Sequence, residues 1–111
     1  MNQTRTGHER EVMRILLACS AGMSTSLLEK AVNDYLKEAK IEGHALALSS
    51  DQAREKLADF DVVLLGPQIR FMLDQFQRMA PDKPVAVIEP MVYATANGEA
   101  LVNQVRTLLT K

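Results

Sequence analysis

The sequence predicts an α/β fold in which a four-stranded parallel sheet carries helices on both faces. Four short apolar runs alternate with four stretches whose apolar residues recur at helical spacing, the pattern of a parallel sheet covered on both sides. With 111 residues the chain suits one domain, large enough for a single core without metal or disulfide support.

The predicted strands are residues 14–18, 44–48, 61–65 and 85–88. The first helix should carry Leu27, Leu28, Ala31, Val32, Tyr35, Leu36 and Ala39 as one apolar stripe, with Gly43 marking its end. Ser49 or Ser50 would cap a short second helix over residues 52–57, where Ala53 and Leu57 face inward. Pro67 suits the first turn of a third helix that buries Ile69, Met72, Leu73 and Phe76, and Pro81 and Pro84 bracket its exit. The last helix begins near Asn97 and docks through Leu101, Val102, Val105, Leu108 and Leu109. Right-handed crossovers then allow a flavodoxin-like three-layer sandwich of strand order 2-1-3-4. The crevice between the first and third strands would be the topological switch point, where open α/β sheets bind ligands. Residues 1–12 read as a flexible lead-in and 13–111 as the single domain.

Bulk composition narrows the chemistry. Apolar residues make up 47% and charged residues 24%, which argues against disorder, and the formal charge of -1 gives no reason to expect nucleic acid. One cysteine excludes an internal disulfide and a cysteine-cluster zinc site, and neither metal nor cofactor is expected. No apolar run approaches the roughly 20 residues that span a bilayer, and the polar start lacks a signal-peptide core, so the expected location is cytoplasmic.

That cysteine, Cys19, ends the first strand and opens the loop Ser20-Ala21-Gly22-Met23-Ser24-Thr25-Ser26 before the first helix. A helix N-terminus has amides without intrahelical acceptors and the positive end of the dipole, so the loop suits an oxyanion. Gly22 lets the backbone turn toward a phosphate, and Ser20, Ser24, Thr25 and Ser26 add hydroxyls. The same field favours a thiolate. A free cysteine pKa of about 8.5 falls to roughly 3.5–7.5 at helix N-termini, which makes Cys19 a candidate nucleophile for phosphoryl transfer. Cysteine-dependent phosphatases have arginine six positions after the cysteine, whereas this chain has Thr25. The missing guanidinium weakens transition-state stabilisation for ordinary phosphate esters and suits a donor with a better leaving group, such as phosphohistidine.

Residues 17–28, LACSAGMSTSLL, resemble the phosphorylation loop of the enzyme IIB component of bacterial sugar phosphotransferase systems, in the lactose, cellobiose and chitobiose family. Residues 61–69, DVVLLGPQI, resemble that family's second signature, and the cellobiose/chitobiose branch is the nearest. The resemblance implies that Cys19 takes a phosphoryl group from a phosphohistidine on a IIA component. It would then pass the group to a sugar, cellobiose, chitobiose or a related β-glucoside, bound in the membrane IIC permease. It implies a phosphate cradle at Ser20, Ala21, Gly22, Met23, Ser24, Thr25 and Ser26, and places Gly66, Pro67, Gln68 and Tyr93 near the site. It also suggests a monomer that visits the inner face of the membrane through IIC without inserting. Where the family has a Tyr-Gly pair and an Asp-Gly turn, this chain has Tyr93-Ala94 and Asn97-Gly98, a loop that would bear on sugar or partner preference.

Competing readings remain at several positions. Met23 reads as an exposed docking contact, or as a gap-filler on the third helix. Gly66-Pro67 also fits plain helix-start punctuation, and Tyr93 fits a packing residue with its hydroxyl at the surface. Glu89-Pro90 matches the general-acid position of low-molecular-weight tyrosine phosphatases, although a solvated strand-end glutamate is the simpler reading. The alternative function is therefore a cysteine-dependent phosphatase or arsenate-reductase-like enzyme. A flavin or regulatory binding module is a third, with 2 Tyr, 3 Phe and no Trp to stack a flavin. His8 and His44 receive no role.

Overall fold

The fold grows from strand β1 (Met13–Cys19), whose residues Ile15 to Cys19 are all fully buried, as a strand covered on both faces requires. The structure, a computed structural model, describes residues 12–20 and 26–110. β1 pairs in parallel with β2 (Gly43–Ser49) on one side and β3 (Val62–Leu65) on the other. β4 (Val85–Val87) adds to β3, giving the expected order β2-β1-β3-β4. Every strand lies within one residue of its predicted bounds.

Alternation along β1 and β3 divides the core in two. Ile15, Leu17, Val62 and Leu64 face α1 (Ser26–Glu38), α4 (Pro90–Ala94) and α5 (Gly98–Leu109) through Leu28, Val32, Leu36, Val92, Leu101, Val102 and Val105. Leu16, Ala18, Val63 and Leu65 face Ala53 of α2 (Ser50–Arg54), Phe76 of α3 (Leu73–Met79) and Ile69 of the segment that precedes α3. Each valine, leucine, isoleucine or phenylalanine among them contributes about 1.5–3 kcal/mol by leaving water.

The helices depart from expectation at several points. In α1 the buried line is Leu28, Val32 and Leu36, while Leu27 is 74% exposed and outside the stripe. Gly43 does not end this helix. The chain turns at Lys40, φ 58°, where the Ile41 amide donates to the Leu36 carbonyl at 2.8 Å. Gly43 instead opens β2 against β1, and a Cβ there would stand 2.5 Å from the Met13 carbonyl oxygen.

Ser49 caps α2 in a reciprocal box with Gln52, but the helix stops at Arg54 and does not reach Leu57. Glu55 and Lys56 donate to carbonyls three residues back, and a separate 3-10 turn, Leu57–Asp59, follows. The Lys83 ammonium donates to the carbonyls of Leu57 and Phe60, satisfying that turn's end.

Pro67 opens a 3-10 segment, Pro67–Met72, broken at Ile69 (φ -117°, ψ 27°), and the α-helix begins only at Leu73. Ile69 and Phe76 are buried as expected, whereas Met72 and Leu73 are only partly covered. Helix α4 was not anticipated from the sequence. Pro90 occupies its start, and Val92 anchors it on the first core.

Asn97 caps α5 by accepting from the Ala100 amide at 3.0 Å. Gly98 is where α5 crosses α1, and an added Cβ would lie 2.4 Å from the Ala31 carbonyl oxygen. Leu101, Val102 and Val105 are wholly buried, while Leu109 at the far end is 38% exposed. The Asn97-Gly98 pair thus has a structural role as cap and close crossing, which an aspartate cap would fill equally well. On the outer edge of β4, Gln77 and Gln104 donate their amides to the Val85 and Val87 carbonyls, covering groups that would otherwise invite another strand.

Candidate functional site

All four strands run in parallel, so their C-terminal ends share one end of the sheet, and Cys19 is the last residue of the central strand there. Its register partner on β2 is Ser49, the cap of α2. On the other side the Gly66 amide donates to the Ala18 carbonyl at 2.7 Å, bringing Gly66 beside Cys19. A Cβ built on Gly66 would lie 3.4 Å from the Cys19 Cβ and 2.7 Å from Gln68 Oε1. Of the residues expected to face Cys19, Gly66 lies beside it at the switch point, and Pro67 and Gln68 follow Gly66 in the chain. Gly66 is buried, Pro67 half-buried and Gln68 exposed, with its amide curled back over the glycine.

Strand alternation puts Cys19 on the face of Ile15 and Leu17, which α1 covers. Cys19 is completely enclosed, where the sequence suggested a sulfur at the mouth of a cradle. Ser20 follows as an exposed bend residue, and Ser26 is the exposed first residue of α1. Ala21, Gly22, Met23, Ser24 and Thr25 lie outside the described residues, as do residues 1–11, including His8.

Tyr93 sits on α4, packed against the first core. Its hydroxyl was expected at the surface. Instead the oxygen is enclosed and has no hydrogen-bond partner among the described residues, because the short helix after β4 presses the ring inward. Glu89 precedes α4 as an exposed strand-end residue. His44 stands at the opposite end of the sheet with its ring edge-on to Phe60, the centroids 5.9 Å apart. At that far end a concavity of about 760 Å³ is walled by Arg14, Asp61, Asp82 and Lys83. Its cations are already engaged: Arg14 with Asp61, which raises the guanidinium pKa first by hydrogen bonding and then by charge, and Lys83 with main-chain carbonyls.

Two features of the Cys19 end were absent from the sequence reading. Leu27, Phe71 and Met91 are 74%, 79% and 71% exposed, and they follow β1, β3 and β4 respectively. Among the described residues the other exposed large apolar side chains reach 40% at most. Periodicity places Leu27 in the buried stripe of α1, and only the rotation of the helix about its axis turns it outward. The second feature is Glu29, whose Oε2 accepts from the Ala47 amide of β2 at 2.8 Å. By sequence it is merely an acid in a first helical turn.

A single-cysteine, flavodoxin-like sandwich with that cysteine at the switch point matches the family model described as "PTS system, Lactose/Cellobiose specific IIB subunit" over residues 14–104. The chain belongs to this family and is a IIB component of a sugar phosphotransferase system. It is 38% identical over 98 residues to the oligo-beta-mannoside-specific EIIB component of Bacillus subtilis, covering 86% of this chain and 95% of that one. To the cellobiose-specific EIIB component of Lactococcus lactis subsp. lactis it is 34% identical, covering 86% and 94%. Among solved structures it superposes on the cellobiose-specific IIB protein of Borrelia burgdorferi with a TM-score of 0.74 at 35% identity, covering 91% and 95%. The lactose-specific IIB domain of Streptococcus pneumoniae gives 0.77 at 16% identity, covering 86% and 97%, a likeness of fold.

Proposed function

We propose that Cys19 is the phosphoryl-carrying nucleophile of this IIB component, loaded by a phosphohistidine on IIA and discharged to a sugar held by IIC. The observation that carries this reading is the position of Cys19 at the C-terminal end of the central strand, beside Gly66, in a chain of the IIB family. In loading, the donor P–N bond breaks as the S–P bond forms, and the imidazole leaves with a proton. In discharge, the S–P bond breaks as the sugar oxygen bonds phosphorus; the hydroxyl proton goes to solvent and the thiolate returns.

The residues from Ser20 to Ser26 serve as the phosphate cradle, using main-chain amides and the positive end of α1. Gln68 lines the site through its amide. Because Cys19 is enclosed, in-line attack requires the groups over the sulfur to give way when a donor docks. Leu27, Phe71 and Met91 supply apolar contact for that docking, on both sides of the strand that ends in Cys19. The partners meet the chain in turn at this one end, which calls for modest, transient interfaces. Among the described residues no helix is long and apolar enough to cross a membrane, in keeping with a chain that reaches IIC from the cytoplasmic side.

The sugar is a β-linked oligosaccharide such as cellobiose or chitobiose. The relatives named for oligo-beta-mannosides and cellobiose support that class. The test supplies phosphorylated IIA, this chain and IIC membranes with cellobiose, chitobiose or a β-mannoside. Sugar phosphate should form only when the chain is present, and the chain should not turn over an aryl phosphate. Aryl phosphate turnover abolished by Cys19→Ser would mark a phosphatase instead.

A further inference from the structure

The free edge of β2 is covered by two side chains from α1. Glu29 Oε2 accepts from the Ala47 amide at 2.8 Å. One helical turn later, Asn33 accepts from the Ala45 amide at 2.8 Å and donates to the Ala45 carbonyl at 3.0 Å. The spacings agree: four helical residues rise about 6 Å, and two strand residues about 6.6 Å. Alanine at 45 and 47 keeps the edge bare enough for both side chains to reach the main chain. The pair therefore sets the axial position of α1 against the sheet, not only its packing.

Glu29 is the member nearer the site. It lies three residues after Ser26, and Ala47 lies two residues before Ser49, the register partner of Cys19. We infer that Glu29 is a positioning residue for phosphoryl acceptance: its bond to Ala47 holds the first turn of α1 level with Cys19. The same bond draws a carboxylate toward the β2 edge, in a turn where a free negative charge would oppose an incoming phosphoryl group. This inference rests on the carrier role proposed for Cys19. The hydrogen bond alone would make Glu29 an edge cover, so the two roles need separate readouts.

The experiment measures single-turnover transfer to the full chain over a series of phosphorylated IIA concentrations up to saturation, with unfolding midpoints recorded in parallel. Glu29→Gln keeps an acceptor for Ala47 and should stay within about two-fold of the unsubstituted rate. Glu29→Asp keeps the charge but retracts it by one methylene, and with Glu29→Ala should slow transfer about ten-fold, the half-saturating concentration of IIA unchanged. Asn33→Ala, one turn further from Cys19, should lower the midpoint yet alter the rate less than two-fold. The inference is overturned if Glu29→Asp transfers normally, or if Glu29→Gln is the slow variant, since charge and not reach would then matter. Should Glu29→Ala fail to fold, the Asp and Gln variants decide alone. An unsubstituted chain that takes no label at Cys19 overturns the carrier reading itself and the inference with it.

Discussion

Gly66 lies directly against Cys19: a methyl group on its α-carbon would meet the Cys19 Cβ at 3.4 Å and collide with Gln68 Oε1 at 2.7 Å. The first distance is ordinary contact, and the second is relieved by moving the flexible end of a surface side chain. Gly66→Ala should therefore fold with a loss below about 1.5 kcal/mol, yet displace Gln68 and slow Cys19 phosphorylation several-fold. Gln68→Ala should slow it equally, and the double variant no further. Unchanged rates in all three would remove Gln68 from the site.

Gly98 presents the opposite case, because its obstacle is backbone. A Cβ at 2.4 Å from the Ala31 carbonyl cannot be accommodated without separating α5 from α1. Denaturant unfolding of Gly98→Ala should show a loss of about 1–3 kcal/mol. The phosphorylation rate of the folded fraction should remain close to normal.

Asn97 tests whether the departure from an Asp-Gly turn bears on sugar choice. Asn97→Asp keeps an acceptor for the Ala100 amide and should leave stability within about 0.5 kcal/mol. Asn97→Ala should cost about 1 kcal/mol. The relative rates with different sugars should be the same in both variants, and a changed preference would contradict the capping role assigned here.

For docking, Phe71→Ser should raise the KM for phosphorylated IIA several-fold with no change in thermal midpoint, since the ring is 79% exposed and packs on little. Met79→Ser, on an equally apolar but only 40% exposed residue of α3, should leave that KM unaltered. Equal effects from both would deny the Cys19 end its special part in recognition.

Strand positions and sheet order were legible because continuous apolar runs and the helical stripes between them are local signals, and right-handed crossovers leave few arrangements. A serine cap at 49 or 50 and a helix start near Asn97 were legible for the same reason, since short polar side chains before a periodic run have one common use. The structure selects Ser49 and makes Asn97 the cap. The turn at Lys40, the break at Ile69 and helix α4 were not. The break and α4 are decided by tertiary fit, as when Ile69 leaves helical geometry to reach the second core. The turn is closed by the Ile41 amide on the Leu36 carbonyl without a glycine to announce it. The closeness of Gly66 to Cys19 was legible from the two motifs that carry them. The Glu29 bond to Ala47 was hidden, since it depends on which side of α1 meets a sheet edge. Leu27 gave no sign of exposure, because it falls in a helical stripe that periodicity reads as core, whereas Phe71 and Met91 lie outside every predicted stripe and carried no expectation.

Mass-spectrometric mapping after incubation with phosphorylated IIA tests the central claim most directly. The account predicts one phosphoryl group, on Cys19, and no incorporation into Cys19→Ser. Label on His44 or His8, or full labelling of Cys19→Ser, would contradict it.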